Sequence, residues 1–345
     1  MTVRSTGNPR ASFRDRFLGT GNRASREVPV PQGLTASGGT TDTYTSGSIK
    51  YKTHVFESSG PFQVTALATG SFTNTVDVLL VGGGGAGHAP NGGGGGGGGV
   101  VYSTGVPVTL TAYPMIVGGG AAALAPSIDE SPTAPSGTDS TGFSLTAGGG
   151  GGGGSRSPNT GRFGATGRPT NGSAGGNGLD TPSAPTPGSG TGGAGGSGNS
   201  ADGGGGGGGA NGNGSPGSVP LGGSAGGAGI ENSILGTPYY WAGGGGGSNM
   251  NPLAPAAGGI GGGGGGGKYN GGSGGGGSKG GSGYKTNPLT PGNIGDNRLN
   301  NAGAENTGGG GGAAGAGLGG QNTNYAGNGG KGIVIVRYQI SPSQS

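Results

Sequence analysis

Ser224, Ser273 and Ser278 each sit in a Gly-x-Ser-x-Gly frame, the spacing that raises a hydrolase nucleophile on a sharp strand-to-helix turn. That chemistry needs a general base, and the chain offers 2 histidines, His54 and His88, with no strand-to-helix context around the serines. Gly262–Gly267 followed by Lys268 has the outline of a phosphate-cradling loop, but Tyr269 stands where the Mg²⁺-binding Ser or Thr is required. Asp202 before Gly203–Gly209 does not reproduce the Gly-Gly-x-Gly-x-Asp calcium repeat. With no Cys there is no thiol nucleophile, disulfide or thiolate metal site. Among 104 glycines such motifs arise by chance. The expectation is a protein that is not an enzyme and holds no cofactor or metal.

The chemistry that remains is recognition. Tyr239-Tyr240-Trp241 contains the only Trp and lies between Pro238 and Gly243–Gly247. Other spacers between glycine tracts present Arg156, Arg162-Phe163, Arg168, Met250 with Leu253, Tyr269, and Tyr284-Lys285. Aromatic and amide side chains on short connections suit glycan or receptor binding. Tyr239, Tyr240, Trp241, Met250 and Tyr284 are therefore candidate receptor-binding residues. The other reading of Tyr239–Trp241, an apolar cap on the glycine region, stays open.

A second group is cationic. Arg4, Arg10, Arg14, Arg16, Arg23 and Arg26 against Asp15 and Glu27 account for the whole formal net charge of +4. The basic segment lacks interleaved aromatics for base stacking and carries Phe13, Phe17 and Leu18 instead, which favours an acidic protein surface over nucleic acid. Arg14, Arg16, Phe17, Arg23 and Arg26 are candidate attachment residues. Neither a secretory signal nor a membrane-spanning run is expected, which suggests assembly in a cytoplasm or within a particle.

The elements that must position these residues come from an unusual composition. Of 345 residues, 104 are Gly and 23 Pro, and only 27% are hydrophobic, too few to fill an ordinary core for this length. Residues 1–40 read as a basic arm, with Val28-Pro29-Val30-Pro31 extended and a weak helical-turn signal at Phe13–Leu18. Residues 44–117 read as β-structure. Ile49, Tyr51, Thr53 and Val55 alternate with Lys50, Lys52, His54 and Phe56, and Phe62, Val64 and Ala66 resume the alternation after Ser58-Ser59-Gly60-Pro61. Val76–Val81 is a nearly continuous apolar strand, with shorter strands expected at Val106–Leu110 and Met115–Val117. Ile333–Tyr338 is a clear strand beyond the glycine block, and pairing with Val76–Val81 would hold the two ends of that block together.

Collagen is excluded for the block, because Gly92–Gly99 and similar runs break the every-third-residue register. A plain Gly/Ser linker of this length would not be interrupted by Tyr-Tyr-Trp. A bundle of polyproline-II-like glycine helices, three residues per turn, can satisfy the outward N–H and C=O groups if neighbours approach as only Gly permits. The fold class expected is an all-β module, a small antiparallel sandwich, plus a polyglycine-II helix bundle with almost no α-helix. Its parts are the arm 1–40, a β-module of 44–117 plus 332–340, and a bundle over 118–331 to which 82–99 contributes the first tract.

YKTHVFESSGPFQV (51–64), VDVLLVGGGG (76–85), the tract from Gly92 to Tyr102, Met115–Gly120 and GGKGIVIVRY (329–338) together resemble the glycine-rich domain of bacteriophage tail-fibre, adhesin and related virion proteins. The resemblance spans about residues 44–340 and implies a layered polyglycine-II core whose distal loops determine the host receptor. What it implies is a non-enzymatic virion protein assembled in the host cytoplasm, its arm bound to other virion proteins and its loops to a host cell-surface receptor, glycan or outer-membrane. No direct nucleic-acid contact and no membrane insertion are implied, and self-association as a homo-oligomer is compatible. The Arg-rich arm differs from distal-tip adhesins. A purely architectural capsid or tail decoration is the alternative, and an ice-binding polyglycine-II protein a weaker one.

Overall fold

A computed structural model describes residues 31–125, 133–155, 172–176, 193, 203–217, 224–249, 256–267, 284, 301–315 and 325–342. Residues 1–30 of the basic arm, with the five candidate attachment residues and the Phe13–Leu18 turn, and Met250 lie outside the described residues. Among those described there is no helix, and every strand pairing is antiparallel. The strands are β1 (Thr35–Ser37), β2 (Thr40–Ser46), β3 (Ile49–Phe56), β4 (Gly60–Ala66), β5 (Thr75–Val81), β6 (Val100–Pro107), β7 (Ala112–Met115), β8 (Ser140–Gly142), β9 (Leu145–Ala147), β10 (Ile230–Asn232), β11 (Tyr239–Trp241) and β12 (Ile333–Pro342). β1 and the start of β2 thus lie within the segment read from sequence as arm.

β12 is the middle strand of a five-stranded sheet ordered β2-β3-β12-β5-β6. It pairs on one side with β5, Ile333 opposite Val81 and Arg337 opposite Asp77, as the sequence suggested. On the other side it pairs with β3, Val334 opposite Phe56 and Tyr338 opposite Lys52. A three-stranded sheet, β1-β4-β7, packs over one face. Between the two sheets lie Phe56, Val78, Leu80, Val334, Val336 and Tyr338 from the large sheet, and Ala36, Phe62, Val64 and Met115 from the small one. The opposite face of the large sheet is also covered. Val55, Leu79, Val81, Ile333 and Ile335 pack there against Ile234, Trp241, Ala242 and Tyr284. Burial on both faces explains why β5 and the start of β12 read as unbroken apolar runs rather than alternating ones. Each such side chain contributes about 1.5–3 kcal/mol on burial.

Two expected strands shift. The one expected at Val106–Leu110 is the end of β6, which starts at Val100 because Val100 and Val101 pair with Val81 and Leu80. It stops at Pro107, which has no N–H to offer the ladder. The one expected at Met115–Val117 is β7, ending at Met115, with Ile116 continuing only as a single bridge to Thr141.

The described glycine tracts are buried and bonded to one another. From Gly93 to Gly98, successive N–H groups donate to Gly154, Gly205, Gly311, Gly151, Gly208 and Gly308, at 2.8–3.0 Å. Each neighbour is therefore revisited every third residue. The carbonyls of Gly93 to Gly97 accept in turn from His88, Gly176, Gly245, Gly85 and Ser173. This tract is surrounded by six segments, 82–88, 148–154, 173–176, 203–209, 243–247 and 308–312. Partner 203–209 runs parallel to it, and 148–154 and 308–312 run antiparallel. The segment 82–88 repeats the rotation, with Gly82 and Gly85 donating to Gly99 and Gly96, Gly83 and Ala86 to Thr138 and Pro135, and Gly84 and Gly87 to Gly330 and Gly327. A Cβ on Gly95 or Gly98 would collide with the backbone carbonyl of Gly85 or Gly82.

Candidate functional site

The second face of the large sheet changes character along its strands. One half carries the apolar side chains covered by Trp241. The other carries a polar and aromatic row across the strands: Tyr44, Tyr51, Arg337, Asp77 and Tyr102. Arg337 Nε and Nη2 donate to Asp77 Oδ2 at 3.1 and 2.5 Å, Nη1 donates to the Tyr44 hydroxyl at 2.8 Å, and Nη2 also reaches the Tyr102 hydroxyl at 3.2 Å. Its guanidinium lies 4.7 Å from the Tyr51 ring centroid, and Tyr51 stacks on Tyr44 at 5.4 Å. Burial works against the Arg337 charge, but the hydrogen bonds to Asp77 and Tyr44 overcome it and hold the group above the ordinary arginine value.

The Tyr44 hydroxyl donates in turn to the Ile234 carbonyl at 3.0 Å. That bond ties β2 to the loop between β10 and β11. The loop can come this close because Gly236, at φ +89°, would drive a Cβ into the Tyr44 ring. In β11 the side chains alternate as a strand requires. Trp241 is fully buried and stacks on Tyr284 at 5.3 Å, and Tyr239 meets Tyr284 edge-on at 5.3 Å. Tyr240, opposite Glu231 in β10, is hydrogen-bonded to that carboxylate, which pushes its hydroxyl upward in pKa.

Between β2 and this loop lies an open groove of about 340 Å³ lined by Thr40, Thr41, Asp42, Tyr44, Thr53, Val55, Leu235, Tyr239 and Tyr284. Asp42 is exposed, and its Oδ1 accepts from the Thr43 N–H at 2.7 Å. The Thr53 hydroxyl donates to the Asp42 carbonyl at 3.3 Å.

Of the receptor-binding candidates, the structure brings Tyr239, Trp241 and Tyr284 together. Tyr239 and Tyr284 line the groove, Trp241 lies in the core behind it, and Tyr240 is turned away toward Glu231. Sequence reasoning missed Thr40, Thr41, Asp42 and Tyr44 as part of the groove. Their strand, TTDTYTS, is exposed at all but one position, so its side chains show no apolar alternation. The signal that could have found it was the Ser46-Gly47 turn leading back into Ile49–Phe56, with Gly47 at φ +59°. Ser224 is buried in a glycine tract with no helix beside it among the described residues. There too, no group of His, Asp or Glu is arranged to hold a metal ion, and no helix is long and apolar enough to cross a membrane.

A family model described as a glycine-rich domain matches residues 57–292. The matched span opens just after β3 and closes before β12, so it takes in the tracts up to 261–267 and the β10–β11 hairpin, but neither the tract 308–312 nor the central strand of the sheet. No curated protein matches the chain.

Proposed function

The chain belongs to the glycine-rich domain family, and from that premise we propose that it is a non-enzymatic structural protein of a bacteriophage virion, of the tail-fibre or adhesin type. In this reading the glycine tracts form a polyglycine-II bundle, the arm 1–40 attaches to other virion proteins, and side chains on the connections between tracts meet a host cell-surface receptor. The supporting observation is the rotation of backbone donors through three neighbours with a period of three residues, the periodicity of a left-handed three-fold helix. Rods so fixed make a rigid scaffold without a large apolar core, and side chains at its margin are held in place for recognition. The likeness to phage fibre sequences at both ends of the block supports the setting.

Purified protein should bind host cells and compete with particles for adsorption. Deleting residues 1–27 should abolish incorporation into particles and leave cell binding by the isolated chain intact. A purely architectural role is the second reading, favoured by the burial of Trp241 and Tyr284. Absence of both cell binding and competition would decide for it.

A further inference from the structure

We infer that the groove between β2 and the β10–β11 loop is a saccharide-binding site for a neutral pyranose, with Asp42 and Tyr239 as its principal contacts. The inference rests on the host-surface reading for its biological setting, not for its chemistry. A pyranose presents an apolar C–H face and a rim of hydroxyls. Tyr239 offers ring surface for the face. Asp42 offers carboxylate oxygens that only accept, and Thr40, on the same face of β2, offers a hydroxyl that both donates and accepts, a set suited to hydroxyl partners. The volume of about 340 Å³ falls at the small end of ligand sites.

The charge of the groove selects among ligands. Asp42 is the carboxylate on its wall, so an acidic sugar would meet like charge. A basic peptide would gain little, because a single exposed carboxylate in high dielectric is worth no more than a surface ion pair. A strand adding to β2 would find the N–H of Thr43 already taken by Asp42 Oδ1. A neutral hydroxyl-rich ring with an apolar face uses every feature present.

The full chain should be titrated with the methyl glycosides of glucose, galactose and N-acetylglucosamine, with methyl glucuronide, and with an acetylated Lys-Gly-Lys peptide, by saturation-transfer NMR and calorimetry. At least one neutral glycoside should bind with millimolar affinity and the glucuronide more weakly. Asp42→Asn, on an exposed strand, should weaken binding on the order of tenfold at unchanged melting temperature, and Tyr239→Leu should do likewise. The assignment is overturned if no neutral glycoside binds, if Asp42→Asn binds as the parent does, or if only the basic peptide binds. Glycoside binding with normal adsorption of Asp42→Asn particles would uphold the site and count against its host-receptor role. Competition for adsorption without any glycoside binding would do the reverse.

Discussion

Gly95 donates to Gly311, accepts from Gly245 and has the carbonyl of Gly85 where a Cβ would stand. Gly95→Val should therefore cost about 3 kcal/mol or more, since overpacking a site bounded by backbone cannot be relieved by a rotamer change. Gly60→Ala, where an added Cβ meets nothing within 4 Å, should stay within about 0.5 kcal/mol in the same denaturant titration. His54 is the other residue with a decisive environment. Its Nδ1 lies 2.6 Å from the Gly38 carbonyl, which can only accept, so Nδ1 carries the proton and Nε2 accepts from the Tyr338 hydroxyl at 3.1 Å. Tyr338 in turn accepts from the Ala36 N–H, and burial pushes its own pKa up to about 12. A proton on Nε2 would reverse that bond, with the Tyr338 hydroxyl accepting rather than donating. Burial lowers the His54 pKa below 6.5. The unfolded chain then binds a proton the folded one resists, so stability is constant above the unfolded pKa and falls as pH drops from 6.5 toward the folded value. The unfolding midpoint measured from pH 8 to 5 should show this fall, and His54→Gln should lose the part of the slope near pH 6. An unchanged slope in the variant would remove His54 as the cause.

At the scale of elements, β12 carries the connection between the two ends of the glycine block. Truncation after Gly332 would remove the strand that separates β2–β3 from β5–β6, leaving two new edges rather than one. The truncated protein should aggregate and lose protease resistance; full solubility with unchanged resistance would show that the rest of the fold closes without it. β3, β4, β5 and β12 were legible because period-two alternation or an apolar run is a property of each strand alone. β2 was not, because an exposed edge strand needs no apolar face, and with it went Asp42 and Tyr44. Tyr239 and Tyr284 stood out as aromatics in a polar region. That Trp241 turns inward while Tyr239 borders a groove depends on Leu79, Val81, Ile333 and Ile335 lying behind it, and those residues are distant in sequence.

For the whole molecule, the choice of partners among the glycine tracts was the least legible feature. Consecutive glycines are identical, so nothing in Gly92–Gly99 distinguishes 203–209 from 308–312 as a neighbour. The apolar sheet at one end and the spacers between tracts must supply that register. The same sixfold enclosure has a calorimetric consequence. Unfolding the tracts exposes peptide groups and very little hydrocarbon, and exposure of polar surface lowers heat capacity where apolar surface raises it. Tract unfolding should thus add almost nothing to the positive heat-capacity change supplied by the β-sandwich. Scanning calorimetry should give a value per residue well below the usual ~12–15 cal/mol/K. The stability curve would then be flat, held by enthalpy across a wide range, and cooling would not weaken the glycine region as it weakens a hydrophobic core.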